Sequence, residues 1–122
     1  MRTSSITIRG KEYICCFSTR VLIALEDKGK PEGKSATAIL SDILANESLT
    51  DCFWLLRELM EAGYRYATLE GIPCNEPISM DTMLDVIGVD DYPYMFSAIG
   101  EAVSKGQAQE VEAEFPKNAE AA

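Results

Sequence analysis

The first seventeen residues alternate apolar and polar side chains in the manner of two short β-strands. Ile6, Thr7 and Ile8 alternate, Gly10 follows at a tight reversal, and residues 13–17 are β-branched and aromatic. This pattern predicts an N-terminal β-hairpin. Because a two-stranded hairpin is barely stable alone in water, we expect its face to pack on helices or its edge to pair with another chain.

Beyond the hairpin, apolar residues recur every three or four positions, which predicts helices. A short first helix begins near Thr19 behind a Ser18 cap and ends at Gly29. Residues 29–34 combine glycines, a proline and lysines, which predicts a mobile loop without a regular element. A second helix follows Ser35, with the apolar positions Ala36, Ile39, Leu40, Ile43 and Leu44.

A long third helix is predicted to organise the core. It starts after Ser48, which forms a capping-box pattern with Asp51, and runs to about Leu69. Its apolar residues cover an arc of about 220° on a helical wheel, wider than the roughly 100° stripe of a surface helix. We therefore expect this helix to be packed on more than one side.

Two more helices follow a proline-rich connection over residues 71–77. Ser79 is the predicted cap of a short fourth helix that Gly88 ends, and Asp90 and Asp91 open a fifth helix that stops at Gly106. The predicted fold class is therefore mainly α with a short N-terminal β-hairpin (α+β), with about five helices arranged around the long central one.

The length of 122 residues suits one compact domain. We place that domain at residues 1–106. Residues 107–122 carry a net charge of -3, from one lysine and four glutamates, and show little apolar periodicity. We predict that they form an acidic, flexible tail, ordered at most in its first turns.

Charge and hydropathy restrict the possible partners. The formal net charge is -9, so a nucleic-acid partner is not expected, because binding to a phosphate backbone needs clustered Lys and Arg. The charge is uneven, at +3 over residues 1–34 and -12 over residues 35–122, a polarity that can orient copies head to tail. No apolar stretch is long enough for a membrane span, and the N-terminus lacks a secretory signal pattern, so we expect a cytoplasmic protein.

The chain contains no histidine, which excludes Ser-His, Cys-His and HExxH chemistry. The cysteines at positions 15, 16, 52 and 74 do not have the spacing of a zinc site and are interpreted as reduced, semi-buried residues. No phosphate loop, dinucleotide fingerprint or nucleophile elbow is present. We therefore predict no catalytic residue, no metal ligand and no cofactor.

The contact candidates are Trp54, Glu58, Glu61 and Tyr94. On the wheel of the third helix, Trp54 falls among the polar residues Arg57, Glu58, Glu61 and Arg65. Tryptophan is enriched at interface hot spots, so an exposed Trp54 is the best anchor for a protein contact. The alternative is that the hairpin or the lysine-rich loop covers it. Glu58 and Glu61 have two interpretations as well, a divalent-cation site or, preferably, a surface salt-bridged to the neighbouring arginines.

The order of these elements resembles a known family. The hairpin, the loop rich in Lys and Gly, the Phe53-Trp54-Leu55-Leu56 run of the central helix, the proline connection, and the helices opened by Ser79-Met80-Asp81 and Asp91-Tyr92-Pro93 look like the layout of the tail assembly chaperones of long-tailed phages. The resemblance covers roughly residues 5–106.

The resemblance implies a non-enzymatic virion assembly protein of a phage or prophage, located in the host cytoplasm. Its partners would be the tape measure protein, whose apolar helical stripes it coats, and further copies of itself. Two alternatives remain open. One is a structural tail or head–tail joining subunit, and the other is an acidic nucleic-acid mimic that inhibits a host protein.

Overall fold

A computed structural model describes the backbone of residues 2–121 and the side chains of residues 2–107. It shows two antiparallel strands followed by five helices, which confirms the predicted fold class. The elements are β1 (Thr3–Ile8), β2 (Lys11–Cys16), α1 (Thr19–Gly29), α2 (Ala36–Asn46), α3 (Leu49–Glu70), α4 (Met80–Val86) and α5 (Tyr92–Ala121).

The hairpin turns through Arg9 and Gly10, both with positive φ angles, 51° and 79°. Two such residues form the tight turn whose twist matches that of the strands. The register places Ile6 opposite Tyr13, and both are buried. One face of the hairpin therefore packs on helices, as predicted. Ser4 of this face donates a buried hydrogen bond of 3.0 Å to the carbonyl oxygen of Ala98, which ties β1 to α5.

Helix α3 is the centre of the molecule. It contacts β2 and each of the other four helices. Leu55, Leu56 and Leu59 have no measurable exposure. This packing on several sides is what the wide apolar arc of α3 predicts. The connection after α3 is held to the hairpin, because Asn75 Nδ2 donates to the backbone oxygen of Glu12 at 2.9 Å.

Three predictions about loops and helix ends are wrong. The lysine-rich stretch is not irregular, since Lys30–Glu32 forms a 3-10 turn, and Lys34 Nζ lies 2.8 Å from Asp42 Oδ2. Asp90 and Asp91, which were expected to open the last helix, belong instead to a second 3-10 turn, Val89–Asp91. Asp91 accepts a hydrogen bond from the Gly88 N–H. Local backbone hydrogen bonds satisfy these short segments without a longer helix.

The third wrong prediction is the end of the last helix. Gly106 does not terminate α5 but lies inside it, against Phe17. The backbone of α5 continues to Ala121, and the side chains of residues 108–122 lie outside the described residues. The predicted flexibility of the tail, and the domain boundary at residue 106, therefore stay predictions.

Candidate functional site

Helices α1 and α3 run antiparallel and form a two-helix surface. Arg20, at the start of α1, lies beside Glu61, and Lys28, near the end of α1, lies over Trp54. A groove of about 480 Å³ separates the two helices. We call this surface the α1–α3 face, and it comprises Arg20, Ile23, Ala24, Asp27, Lys28, Trp54, Glu58 and Glu61.

Trp54 is half-buried at one end of this face. Its ring packs against the hydrophobic core, and Lys28 Nζ lies 4.6 Å from the ring centroid. Lys28 also pairs with Asp51 at 3.5 Å, which holds the ammonium group over the indole. The cation over the ring thus comes from α1. Trp54 therefore contributes both to the packing of the core and to the α1–α3 face.

Glu61 lies at the other end of the face among arginines. Its carboxylate accepts a 2.8 Å hydrogen bond from Arg57 and lies 3.5 Å from Arg65 Nε. The hydrogen bond from Arg57 lowers the pKa of Glu61 below its usual value, and the charges of Arg57, Arg65 and Arg20 act in the same direction. The salt-bridged surface predicted for this side of α3 is confirmed at Glu61.

The structure brings three of the four contact candidates together and separates the fourth. Trp54, Glu58 and Glu61 follow one another along α3 on the α1–α3 face. Tyr94 lies instead on α5, with 69% of its surface exposed, in a groove beside Ser5 and Thr7 of β1. It is therefore not part of the same surface.

The apolar residue of this face on α1 is not among the predicted contact residues. Ile23 is 54% exposed and lines the groove with Glu58 and Glu61. Its neighbours Val21 and Leu25 are buried. The sequence does contain an indication of Ile23, because this residue falls outside the stripe of apolar residues that α1 turns toward the core. The same indication identified Trp54 on α3.

The cysteines occupy structural positions. Cys15, Cys16 and Cys52 are buried, Cys74 is partly buried, and all four are free thiols. Burial raises the pKa of Cys15 to about 12, so this thiol is neutral at physiological pH. Within the described side chains, no group of three or more Cys, Asp and Glu residues is placed to hold a metal ion.

Within the part of the chain that the structure describes, we find no helix with the length and apolar character that crossing a membrane requires. Comparison with known protein families, curated proteins and solved structures yields no match to this chain.

Proposed function

We propose that this protein is a non-enzymatic phage tail assembly chaperone that coats the tape measure protein in the host cytoplasm. The element order that carries the resemblance to this family supports the proposal. The hairpin, the long central helix, the proline connection and the final pair of helices occur in the structure in that order.

The observation that carries the proposal is the composition of the α1–α3 face. Ile23 and Trp54 supply apolar surface, and Arg20, Lys28, Asp27 and Glu58 surround it with charges of both signs. Two antiparallel helices with a groove between them can accept a third helix through its apolar stripe. A tape measure protein presents long helices with such stripes, and covering them prevents aggregation.

The net charge supports the same role. At -9, a copy bound to an apolar helix adds negative charge to the complex, so neighbouring complexes repel one another and stay dispersed. The charge pattern supports a nucleic-acid mimic less well, because Arg20, Arg57 and Arg65 lie close to the carboxylate of Glu61 and interrupt the acidic surface. A mimic needs an uninterrupted row of carboxylates.

The proposal is tested by co-expression with the tape measure protein of the same phage. We expect the soluble fraction of the tape measure protein to rise when the chaperone is present. An unchanged soluble fraction would contradict the function. Mass spectrometry of purified phage particles separates a chaperone from a structural tail subunit, since the chaperone should be absent from the finished particle.

The contact surface is tested separately with a matched pair of variants. Ile23 and Leu84 are both 54% exposed, but only Ile23 lies on the α1–α3 face. We expect Ile23→Ser to weaken binding of the tape measure protein by about tenfold, the loss typical of an apolar contact at an interface, and Leu84→Ser to leave binding unchanged. Equal effects of the two changes would show that the α1–α3 face is not the contact.

Trp54→Ala is a less selective variant, because Trp54 also packs against the core. We expect it to lower both thermal stability and binding to the tape measure protein. Binding that is lost after correction for the folded fraction assigns Trp54 to the contact. Binding that follows the folded fraction alone assigns it to the core.

A further inference from the structure

The hairpin has two outer edges, and its register shows which backbone groups lie on them. In a hairpin with a two-residue turn, the residues on either side of the turn form a hydrogen-bonded pair, and hydrogen-bonded and non-hydrogen-bonded pairs alternate from there. Counted from the pair of Ile8 and Lys11, the residues Thr3, Ser5 and Thr7 occupy non-hydrogen-bonded positions. Their N–H and C=O groups therefore point away from β2.

The outer edge of β2 is covered by other parts of the molecule. Glu12 occupies a non-hydrogen-bonded position of β2, and its outward carbonyl oxygen accepts the 2.9 Å hydrogen bond from Asn75 Nδ2. The carbonyl group of Ile14, two residues on, lies against Gly63 of α3. Both contacts involve carbonyl groups that point away from β1, which is the orientation that the alternation of pairs predicts.

The outer edge of β1 is covered at its start and open beyond it. The Thr3 carbonyl oxygen accepts a 3.2 Å hydrogen bond from Lys105 Nζ of α5. Among the described residues, no group hydrogen-bonds to the outward N–H and C=O groups of Ser5 and Thr7. Residues 3–8 also contain neither a charged residue nor a proline, which proteins commonly use to shield an edge strand. This part of the edge is therefore accessible to a further strand.

Helix α5 forms one wall of a groove along the open part of the edge. The groove has a volume of about 370 Å³, and Tyr94, Ser97, Ala98 and Glu101 line it from α5. Directly opposite residues of paired strands place their side chains on the same face of a sheet. Ile6 lines the groove, so a residue of an added strand opposite Ile6 directs its side chain into it.

The α5 wall is suited to a side chain with a long apolar stem and a positive charge at its end. Tyr94 is 69% exposed, and Ala98 adds apolar surface next to it. Glu101 is exposed and forms a 3.2 Å ion pair with Lys105 at the surface. Arginine and lysine pack their stems along aromatic or apolar surface and bring their charge to a carboxylate. The net charge of -9 favours a basic partner as well.

We propose that the open edge of β1 binds an extended segment of another protein, which pairs antiparallel with Ser5 and Thr7 and places an arginine or lysine opposite Ile6. The four outward backbone groups of Ser5 and Thr7 hydrogen-bond to the backbone of this segment, as in other cases of β-strand addition. The cation of the segment passes Tyr94 and reaches Glu101.

A second copy of β1 does not fit this edge. Its own α5 lies beside it in the same way, lining the groove next to Ser5 and Thr7. Two paired strands lie about 4.8 Å apart, whereas a helix with its side chains is about 10 Å wide. The two α5 helices would therefore occupy the same space, which favours an isolated extended segment over a second hairpin.

This inference goes beyond the proposed function, because the β1 edge and the α1–α3 face are separate surfaces. Binding at the edge is measurable with the purified full-length chain and a synthetic peptide, in the absence of any tape measure protein. The two proposals can therefore fail independently.

The probe is the peptide Thr-Val-Thr-Arg-Thr-Val-Thr with blocked ends. Threonine and valine favour an extended backbone, and the arginine takes the position opposite Ile6. One control peptide carries glutamate in place of arginine. A second control carries N-methyl groups on the two threonines next to the arginine, which removes the donors to the carbonyl groups of Ser5 and Thr7.

An NMR titration of the full-length chain measures binding and its location. We expect the arginine peptide to shift the amide signals of Ser5, Thr7 and Tyr94 along a saturable curve. We expect both control peptides to bind at least about tenfold more weakly, because one loses the attraction to Glu101 and the other loses two hydrogen bonds.

Variants of the protein test the same contact from the other side. Ser5→Pro removes an outward N–H and keeps the hairpin ladder, because an edge strand accepts proline where its N–H faces solvent. Tyr94→Ala and Glu101→Gln change exposed residues of the groove wall. We expect each variant to bind the arginine peptide about five- to tenfold more weakly. Thr19→Pro is the control for the introduced proline, because it changes the exposed first residue of α1, where helices tolerate proline.

Thermal melting establishes that each variant is folded, and Tyr94→Ala and Glu101→Gln keep the test valid if Ser5→Pro is not. Three results would overturn the proposal: no saturable shift with the arginine peptide, equally tight binding of the N-methylated peptide, or shifts confined to residues outside β1 and α5. A wild-type chain that self-associates in analytical ultracentrifugation, and loses this association in Ser5→Pro, would assign the edge to a second copy and overturn it as well.

Discussion

At the scale of single residues, two helical glycines are required by the closeness of the backbone of β2 and of Phe17, the residue that follows it. A Cβ atom at Gly63 of α3 would overlap the carbonyl group of Ile14 in β2. A Cβ atom at Gly106 of α5 would lie 2.7 Å from the carbonyl oxygen of Phe17. Both glycines allow a helix to approach the hairpin backbone more closely than any other residue would permit.

Gly63→Ala is therefore expected to destabilise the fold although alanine favours helices. The added methyl group must displace backbone atoms of β2, and overpacking of this kind costs about 2 kcal/mol. Urea denaturation measures the loss in free energy of unfolding. Gly100→Ala is the matched control, because no atom lies within 4 Å of its added Cβ, and we expect it to stabilise by about 0.5 kcal/mol. Equal effects at the two positions would contradict the close approach.

At the scale of elements, the four serines that directly precede α1, α2, α3 and α4 divide into two pairs. The side chains of Ser35 and Ser79 each accept a hydrogen bond from a backbone N–H three residues on, at 3.2 Å. Ser18 and Ser48 precede α1 and α3 but form no such bond. The capping box predicted for Ser48 is therefore wrong. Its expected partner, Asp51, pairs with Lys28 of α1 instead.

This difference predicts unequal effects of the same substitution. Ser35→Ala removes a formed cap and is expected to lower the free energy of unfolding by about 1 kcal/mol. Ser48→Ala removes no cap bond, so we expect a clearly smaller change. Thermal or urea unfolding of the two variants provides the comparison. A larger loss at Ser48 than at Ser35 would show that the helix starts are stabilised in another way.

At the scale of the whole molecule, the core between hairpin and helices controls the cysteine chemistry. Cys15 has no measurable exposure, and its burial raises the thiol pKa from its ordinary value of 9.0 to about 12. At a pH between these two pKa values, the unfolded chain releases the proton of the Cys15 thiol and the folded chain keeps it. Stability is therefore lost as the pH rises through this range, with a slope of up to about 1.4 kcal/mol per pH unit from this group.

The expected result is alkaline destabilisation that depends on Cys15. The Cys15→Ala variant should be less stable than the wild type at pH 8, because a buried sulfur is lost, but its free energy of unfolding should fall less steeply between pH 9 and pH 12. Urea unfolding at several pH values measures both quantities. Val21→Ala serves as the control, because it also removes buried side-chain atoms but no titratable group. Identical slopes for Cys15→Ala and the wild type would refute the effect.

A large part of the fold follows from local sequence patterns. The alternation around Ile6 and Ile8, the reversal at Gly10 and the repeated apolar spacing after Thr19 predict the strands and helices that the structure contains. These patterns suffice because a strand or helix must bury one face, and the spacing of apolar residues records which face that is. The position of Trp54 outside its apolar arc likewise marked one end of the α1–α3 face in advance.

The sequence by itself therefore determined the order and type of the elements and excluded histidine-dependent chemistry. Tertiary structure alone decided that Gly106 lies inside α5, that Asp51 pairs with Lys28, and that Tyr94 lies apart from Trp54. It also brought Arg2 and Arg65, 63 positions apart, to the same groove. The reason is physical. Periodicity reports the burial of one element at a time, whereas close approaches and charge clusters depend on which surfaces meet after packing.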